Sequence, residues 1–274
     1  MHVSRTHTPV EGAGSRAFRG VLLGVVALFV AGFVVLFAVD VTYVRWADVR
    51  EVVVSPAIRA ALWLSVWTSL ATVALGLLVA IPMGYALSRY RFPGQAFAET
   101  MVDLPIILPP LVLGLSLLLF FSRTWAGKTI DESWVPFTYH PNGIILCQFL
   151  MSASLGIRAA QIAFDAVSPR LEHVAMTLGC GRAGAFWHVA LPLARRGIVA
   201  GGILIWARSF GIFGPLFIFV GAVRFRTEVL STTIHLEQSS GRDEVAMAVA
   251  LLMLALSAVT LVVVHLLARR YDPR

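Results

Sequence analysis

The chain has 274 residues, of which 58% are hydrophobic and 14% are charged, and its mean hydropathy is +0.81. Soluble domains carry about a quarter charged residues and under half apolar ones, so this composition excludes an ordinary water-soluble protein and indicates one membrane domain. The net charge of +7 would suggest a nucleic-acid partner in a soluble protein. No nucleic-acid-binding motif or long basic run occurs in the sequence, and we expect no such partner.

Six apolar stretches are long enough to cross about 30 Å of hydrocarbon as helices. The first stretch is longer than the apolar region of a signal peptide and has no clear cleavage site, so we expect a retained helix. The second is expected to bend at Pro82. The third begins Leu-Pro-Ile-Ile-Leu-Pro-Pro, which predicts a broken or re-entrant start. The predicted spans are residues 20–39, 60–87, 102–122, 143–164, 197–223 and 245–268.

The Arg and Lys residues predict the orientation of these spans. If the N-terminus is inside, thirteen of them fall in inner segments and eight in outer segments, which favours both termini in the cytoplasm. We therefore predict an all-α, polytopic protein of about six transmembrane helices. Its parts are a cytoplasmic tail at 1–19, a transmembrane domain at 20–268 and a cytoplasmic tail at 269–274.

The polar segment 165–196, here called the inner loop, has the pattern of a short amphipathic helix. Ser168-Pro169 is typical of a helix start, and Gly179 and Gly181 are expected to end the helix. Its apolar side packs either on this protein's own helices or the lipid interface, or in a groove of a soluble partner, and the pattern leaves these interpretations open. The residues that recur at helical spacing are Leu171, Val174, Ala175 and Leu178.

The inner loop resembles the signature of inner-membrane permeases of ABC importers, which combines Glu-Ala-Ala, a Gly and a later Leu-Pro. Gly179 and Pro192 keep the thirteen-residue spacing of the signature, whereas its Glu-Ala-Ala positions hold His173-Val174-Ala175. The resemblance implies a coupling helix between helices four and five that sits in a cleft of the ATP-hydrolysing subunit. The residues it implies for this coupling are Glu172, Leu178, Gly179, Arg182 and Pro192.

Arg208 has eleven uncharged residues before it and fifteen after it within the fifth span. An Arg near the middle of a bilayer costs about 2.5–3.5 kcal/mol, so we expect it to face a cavity or a partner. The alternative is that the helix starts later and that Arg208 reaches the cytoplasmic interface. The segment 207–214 resembles the Ala-Arg-x-x-Gly-Glu-Phe-Gly run of molybdate, tungstate and sulfate permeases, with Ile212 in place of Glu. The expected pathway residues are Arg208, Ser209, Gly211 and Gly214.

The resemblance implies a permease subunit in the cell inner membrane that moves an oxyanion such as molybdate, tungstate or sulfate by alternating access. Its expected partners are an ABC ATP-binding subunit, an extracytoplasmic solute-binding protein and a second permease subunit, either identical or related. The sequence has no Gly-x4-Gly-Lys-Ser/Thr loop, since its only Lys is Lys128, so ATP and Mg²⁺ are expected on the partner. The resemblance to a transport subunit implies no enzyme activity and no cofactor on this chain. We also expect no metal site, because Cys147 and Cys180 lack metal-ligand spacing.

Other solutes and other classes of protein stay open. Permeases for ferric iron, polyamines, thiamine and phosphonates share much of this architecture. An ion-coupled secondary transporter is disfavoured because no Asp or Glu falls near the middle of a predicted span. An intramembrane enzyme is disfavoured because no paired catalytic residues are evident, and Asp103 has no obvious partner.

Overall fold

The computed structural model describes residues 13–133 and 135–270, with side chains described for 18–133 and 135–262. The described residues form helices and connecting loops without strands, as predicted. The chain divides into two units, residues 1–45 and 46–274. The first unit contains helix α1 (Ala13–Tyr43). The second contains α2 (Trp46–Val54), α3 (Pro56–Arg89), α4 (Gln95–Ile107), α5 (Pro110–Arg123), α6 (Trp125–Ser133), α7 (Pro141–Asp165), α8 (Pro169–Thr177), α9 (Arg182–Ala185), a π-helical turn (Phe186–Ala190), α10 (Leu191–Phe210), α11 (Gly214–Phe219), α12 (Leu230–Ser239) and α13 (Asp243–Arg270).

The prediction of about six membrane spans is confirmed. Within the described residues, five helical segments are long and apolar enough to cross a membrane, and α4 with α5 forms a sixth, bent by 109°. The bend lies at the predicted place, because Leu108 and Pro109 are both extended and Pro110 opens the next helix. The helix α3 continues through Pro82 to Arg89.

The predicted boundaries of the fifth span were wrong at both ends. The helix α10 begins at Leu191 rather than at residue 197, because Pro192 lies in its first turn, where proline removes no helical hydrogen bond. It ends at Phe210 rather than at residue 223, because Gly211 breaks it and the separate helix α11 follows.

The predicted tails also differ from the observed helices at their inner edges. The helix α1 begins at Ala13, so residues 13–19 of the predicted N-terminal tail are helical. The helix α13 extends to Arg270, which includes the first two residues of the predicted C-terminal tail. The remaining tail residues, 1–12 and 271–274, lie outside the described residues.

The helices α3, α7 and α10 approach one another at the level of their backbones. A Cβ atom on Gly84 of α3 would lie 2.7 Å from the Cβ of Ala160 on α7. A Cβ atom on Gly156 of α7 would lie 2.4 Å from Ile205 Cδ1 on α10. Small residues therefore allow the close helix contacts that are typical of membrane proteins. These helices contribute most of one buried cluster, which contains Ala80, Leu87, Val102, Ile157, Ala160, Phe164, Val167, Ala190, Ala194 and Ile198.

Two carboxylates for which the sequence predicted no role, those of Asp103 and Asp131, stabilise contacts near them. Asp103 of α4 forms a salt bridge with Arg158 of α7, with 2.7 Å between Oδ1 of Asp103 and Nε of Arg158. Asp131 of α6 accepts backbone hydrogen bonds from Phe137 and Thr138 through Oδ1, at 2.5 and 2.9 Å. Burial raises the pKa of Asp131, but the two amides, the Thr138 hydroxyl and the nearby His140 together favour the charged form more strongly, and the pKa of Asp131 lies below the ordinary value.

Candidate functional site

The inner loop folds as the sequence predicted, into a short helix, a glycine turn and a second helical stretch. The helix α8 begins directly after Ser168 and ends at Thr177. Gly179 has φ of +97°, a left-handed conformation that favours glycine, and its amide donates to the carbonyl of Met176. The second stretch consists of α9 and the π-helical turn, and it continues directly into α10. A short helix thus lies between the fourth and fifth spans, as predicted.

The buried side of α8 is polar. Glu172 is 6% exposed, and its two carboxylate oxygens have different partners. Oε1 lies 2.7 Å from Nε of Arg89, and Oε2 accepts a hydrogen bond of 2.6 Å from the hydroxyl of Tyr85. Arg89 also donates through Nη2 to the carbonyl of Val167, at 2.7 Å. The last turns of α3 therefore hold α8 and Val167, which lies two residues before the start of α8.

An aromatic cluster holds the second stretch of the inner loop against the same part of α3. The ring of Phe186 lies 4.8 Å from the ring of Tyr85 and 6.1 Å from that of Phe164, measured between centroids. The Tyr85 ring also makes an edge contact with Phe164 at 5.2 Å. Tyr85 is therefore in contact with both halves of the inner loop, through its hydroxyl and through its ring.

The outward side of α8 is apolar. Leu171, Val174 and Leu178, here called the apolar stripe, are 48%, 56% and 82% exposed. The apolar stripe therefore does not pack on the protein's own described helices, which leaves the lipid interface or a partner to cover it. An amphipathic helix that buries its carboxylate and exposes its leucines presents a surface for another molecule.

Arg208 lies in the last turn of α10. Twelve residues separate it from Arg196, which corresponds to about 18 Å along an α-helix. The helix begins at Leu191, so it does not start late, as the alternative position of Arg208 required. The Arg208 side chain is exposed and has no hydrogen bond or ion pair to another described residue.

Two helices that follow breaks in the chain, α5 and α11, pack against each other. The break at 211–213 leads into α11, and the break at 108–109 leads into α5. A Cβ atom on Gly114 of α5 would lie 2.7 Å from Cα of Pro215, and one on Gly214 would lie 2.9 Å from Cδ2 of Leu111. Non-helical backbone at membrane depth is tolerated where it is buried in protein or lines a polar cavity. The backbone of the two breaks is therefore expected to be covered by protein or to face a polar space.

A buried polar chain holds the end of α10 in place. The Gln148 side chain of α7 donates to the carbonyl of Ser209 at 3.2 Å and accepts from the Thr72 hydroxyl of α3 at 3.0 Å. The Ser209 hydroxyl donates to the carbonyl of Trp206 in its own helix, at 3.0 Å. The side chain of Ser209 is buried and bonds its own backbone, so its contribution is to fix the carbonyl end of α10.

Ile212, which replaces the Glu of the similar permeases, belongs to the apolar core. It is 6% exposed and lies in a cluster with Phe121, Cys147 and Leu216. Its carbonyl accepts a hydrogen bond of 2.7 Å from the hydroxyl of Ser231 on α12. At this position the side chain of the present protein faces away from the exposed surface that carries Arg208.

Residues 72–274 match the family model of the binding-protein-dependent transport system inner membrane component. The chain belongs to this family. It is 33% identical over 221 residues to the molybdenum transport system permease protein ModB of Escherichia coli (strain K12), which covers 76% of this chain and 93% of that protein. It is 30% identical over 257 residues to the sulfate transport system permease protein CysT of the same strain, covering 92% of this chain and 93% of that protein. A bacterial ABC transporter involved in the import of the acidic polysaccharide alginate has the same fold, with a TM-score of 0.72 and 16% identity, covering 94% of this chain and 96% of that chain.

The prediction of an ABC importer permease is thereby confirmed. The predicted site residues of this permease lie in two separate groups. Leu178, Gly179 and Arg182 are exposed on the inner loop, and Pro192 is exposed in the first turn of α10. Glu172 belongs to the same loop but points inward. The second group is at the other end of α10, where Arg208 and Gly211 are exposed, Ser209 is buried and Gly214 is partly buried.

Sequence reasoning missed three residues of the permease that hold these groups. Arg89 and Tyr85 anchor the inner loop, and Gln148 fixes the end of α10. Gln148 carried a signal, because an amide inside an apolar span needs a partner. Arg89 had a weaker signal as the first charge after a long neutral stretch, and it was interpreted only as a marker of orientation.

Proposed function

We propose that this permease imports a tetrahedral oxyanion through a pathway between two permease subunits, and that a separate ATP-binding subunit drives it from the inner loop. The observation that carries the proposal is the exposed apolar stripe on α8, opposite the buried Glu172. The proposed localisation is the cell inner membrane, with both termini in the cytoplasm.

The apolar stripe supports a soluble partner at the inner loop. Complete burial of a leucine or valine side chain contributes about 1.5–3 kcal/mol, so three such residues in a groove stabilise a complex substantially. The segment exposes Gly179 beside Leu178, which leaves room for close approach of a partner. Because this chain has no nucleotide-binding loop, ATP and Mg²⁺ would bind the partner. Leu178 and Gly179 are proposed to lie at this contact, with Arg182 near it.

Glu172 and Pro192 have supporting roles in this proposal. Glu172 holds α8 from inside, through Arg89 and Tyr85, and does not itself reach the partner. Pro192 fixes the start of α10 directly after the inner loop. The distinction matters for experiments, because substitutions at Leu178 act on the partner contact whereas those at Glu172 act on the position of the helix.

Arg208 supports an anionic solute. Exposed to lipid, its charge would cost about 2.5–3.5 kcal/mol, so a position facing a water-filled pathway or a second subunit is favoured. Proteins named for molybdenum and sulfate transport are about one-third identical to this chain. Molybdate, tungstate and sulfate are tetrahedral dianions, for which a guanidinium is a suitable donor. Gly211 and Gly214 would shape the pathway, and Ser209 would position it.

Two further partners follow from this arrangement. A second permease subunit, most simply another copy, would close the pathway on the side where Arg208 is exposed. An extracytoplasmic solute-binding protein would deliver the anion to the outer loops, in keeping with the family description. Solutes of the related permeases, such as ferric iron, polyamine, thiamine or phosphonate, remain the alternatives that the uptake experiment distinguishes.

The experiment is uptake of radiolabelled molybdate, tungstate and sulfate into cells that lack their own importers and express this permease with its ATP-binding and solute-binding subunits. We expect ATP-dependent uptake of at least one oxyanion, and a fall of about 10–100-fold in Arg208→Ala, which corresponds to the loss of one charge-assisted hydrogen bond. Arg91→Ala is the control, because it removes an exposed positive charge that follows α3 and lies outside α10. Normal oxyanion uptake in Arg208→Ala at equal expression would remove Arg208 from the pathway.

A further inference from the structure

We infer that Tyr85 and Arg89 are positioning residues that lock the inner loop to α3, so that the loop and the cytoplasmic end of α3 move as one body. The inference rests on the proposed function, in which a partner subunit moves the inner loop. We infer that α3 transmits the motion of the inner loop to the rest of the membrane domain.

Tyr85 and Arg89 contact the inner loop both before and after the start of α8, and these contacts are here called the lock. Glu172 accepts from Arg89 Nε at 2.7 Å and from the Tyr85 hydroxyl at 2.6 Å, so both of its oxygens are held. Arg89 Nη2 donates to the carbonyl of Val167 at 2.7 Å, and Arg89 Nη1 donates to Ser88 Oγ at 2.9 Å. Since two nitrogens of the guanidinium and the Tyr85 hydroxyl bind the inner loop, α8 cannot rotate or slide relative to α3 without breaking several bonds together.

The chemistry of the lock favours geometric control over stability. A buried ion pair often contributes little net stability, because desolvation of the two charges offsets their attraction. Its directional bonds nevertheless select one orientation of α8, and in that orientation the apolar stripe points outward. A force applied to the apolar stripe therefore reaches α3 through Glu172.

The opposite half of α3 is bonded to the region of the helix breaks. Ser65 Oγ accepts a hydrogen bond of 2.8 Å from the backbone amide of Leu230, at the start of α12. The adjacent Ser231 donates to the carbonyl of Ile212 within the break between α10 and α11. Ser65 and Tyr85 are twenty residues apart, or about 30 Å along a helix. One continuous helix thus connects the inner loop with the segment that follows Arg208 and Gly211.

The first test measures coupling in proteoliposomes that contain the permease, its ATP-binding subunit and the loaded solute-binding protein. The measured quantity is the number of solute molecules imported per ATP hydrolysed. We expect this ratio to fall at least tenfold in Arg89→Gln and less in Tyr85→Phe, which removes one hydrogen bond. The charge-exchanged variant Arg89→Glu with Glu172→Arg should recover part of the loss. A ratio equal to wild type in Arg89→Gln would overturn the inference.

Asp103→Asn is the matched control. It weakens a salt bridge to Arg158 that joins α4 to α7 and does not involve the inner loop. The control should lower thermal stability without changing the ratio. If the control changes the ratio as much as Arg89→Gln does, the effect is general loosening and the inference fails. An absence of ATP-dependent uptake in the wild type would instead count against the proposed function.

A second measurement does not depend on transport. Spin labels on the native, exposed Cys180 and on Arg91→Cys report the distance between the inner loop and the end of α3 in the purified complex. A locked body predicts the same distance with and without ATP in the wild type, and a broader distribution in Arg89→Gln. A distance that changes with ATP in the wild type would contradict the lock.

Discussion

Replacement of Gly179 by alanine tests whether the left-handed turn of the inner loop orients the exposed end of α8. Gly179 has φ of +97°, and no atom lies within 4 Å of the position that a Cβ would occupy. Alanine at this position therefore has room, but it must adopt a backbone conformation that L-residues disfavour by about 1–2 kcal/mol. Gly181 is the matched control, because it also lies in open space but has φ of −71°, which alanine adopts without strain.

The strain falls on the turn that ends α8. Two hydrogen bonds close this turn, from the amide of Gly179 to the carbonyl of Met176 and from the amide of Cys180 to that of Ala175, both 3.1 Å. A cost of 1–2 kcal/mol increases the open population of the turn by about 5–30-fold. Hydrogen exchange with mass spectrometry on peptides that cover 174–182 measures this population.

We expect faster exchange of these two amides in Gly179→Ala, together with weaker binding of the partner subunit. Gly181→Ala should exchange as the wild type does, or slightly more slowly. Equal exchange in the two variants would show that the left-handed turn is not what orients the exposed end of α8, and the reasoning would be refuted.

Three further predictions concern the packing, the missing carboxylate and pH. Gly84→Ala should destabilise the protein by about 1–3 kcal/mol in thermal unfolding, because its Cβ would meet α7 at 2.7 Å, whereas Gly211→Ala meets nothing closer than 3.8 Å and should not. Ile212→Glu should lower the yield of folded protein, since it buries a carboxylate in an apolar cluster. Ile212→Leu should lower the free energy of unfolding by less than about 1.5 kcal/mol. A normal yield of Ile212→Glu would contradict the assignment of this position to the apolar core. Asp131→Asn should lower the melting temperature at pH 7. The pKa of Asp131 in the folded state is depressed, so the stabilisation by its charge is complete above the unfolded pKa of about 4. The difference in melting temperature should therefore begin to shrink below about pH 4 and disappear once the pH is below the folded pKa. A difference that persists in acid would show that the charge of Asp131 is not what holds the loop.

The membrane spans and the inner loop were predictable because their signals are local. Long charge-free stretches identify spans, and a Ser-Pro start with a glycine stop identifies a short helix. The ends of the fifth span were not predictable from apolarity alone. The residues up to 223 are as apolar as those of a membrane-spanning helix. Apolarity therefore does not reveal that α10 ends before Gly211 and that the separate helix α11 follows.

The contacts that position the site depend on residues distant in sequence. Arg89 and Glu172 are 83 residues apart, and Gln148 lies 61 residues from Ser209. No periodicity links such pairs, so their partners appear only when α3, α7 and α10 are packed together. Periodicity also did not predict whether the apolar stripe of α8 is buried or exposed. It shows that a helix has an apolar and a polar face, but it does not show which face packs on the rest of the protein.

The central claim is that a separate ATP-binding subunit docks on the apolar stripe of α8, and co-purification in mild detergent tests it directly. The permease is expressed with the ATP-binding subunit of the same transport system, as wild type and as Leu178→Asp, at equal membrane expression. Leu178 is 82% exposed, so the substitution leaves the fold of the permease itself intact. The account predicts a stable complex with the wild type and at least a tenfold loss of the bound subunit in Leu178→Asp. A complex that is unaffected by Leu178→Asp, or no complex with the wild type, would contradict it.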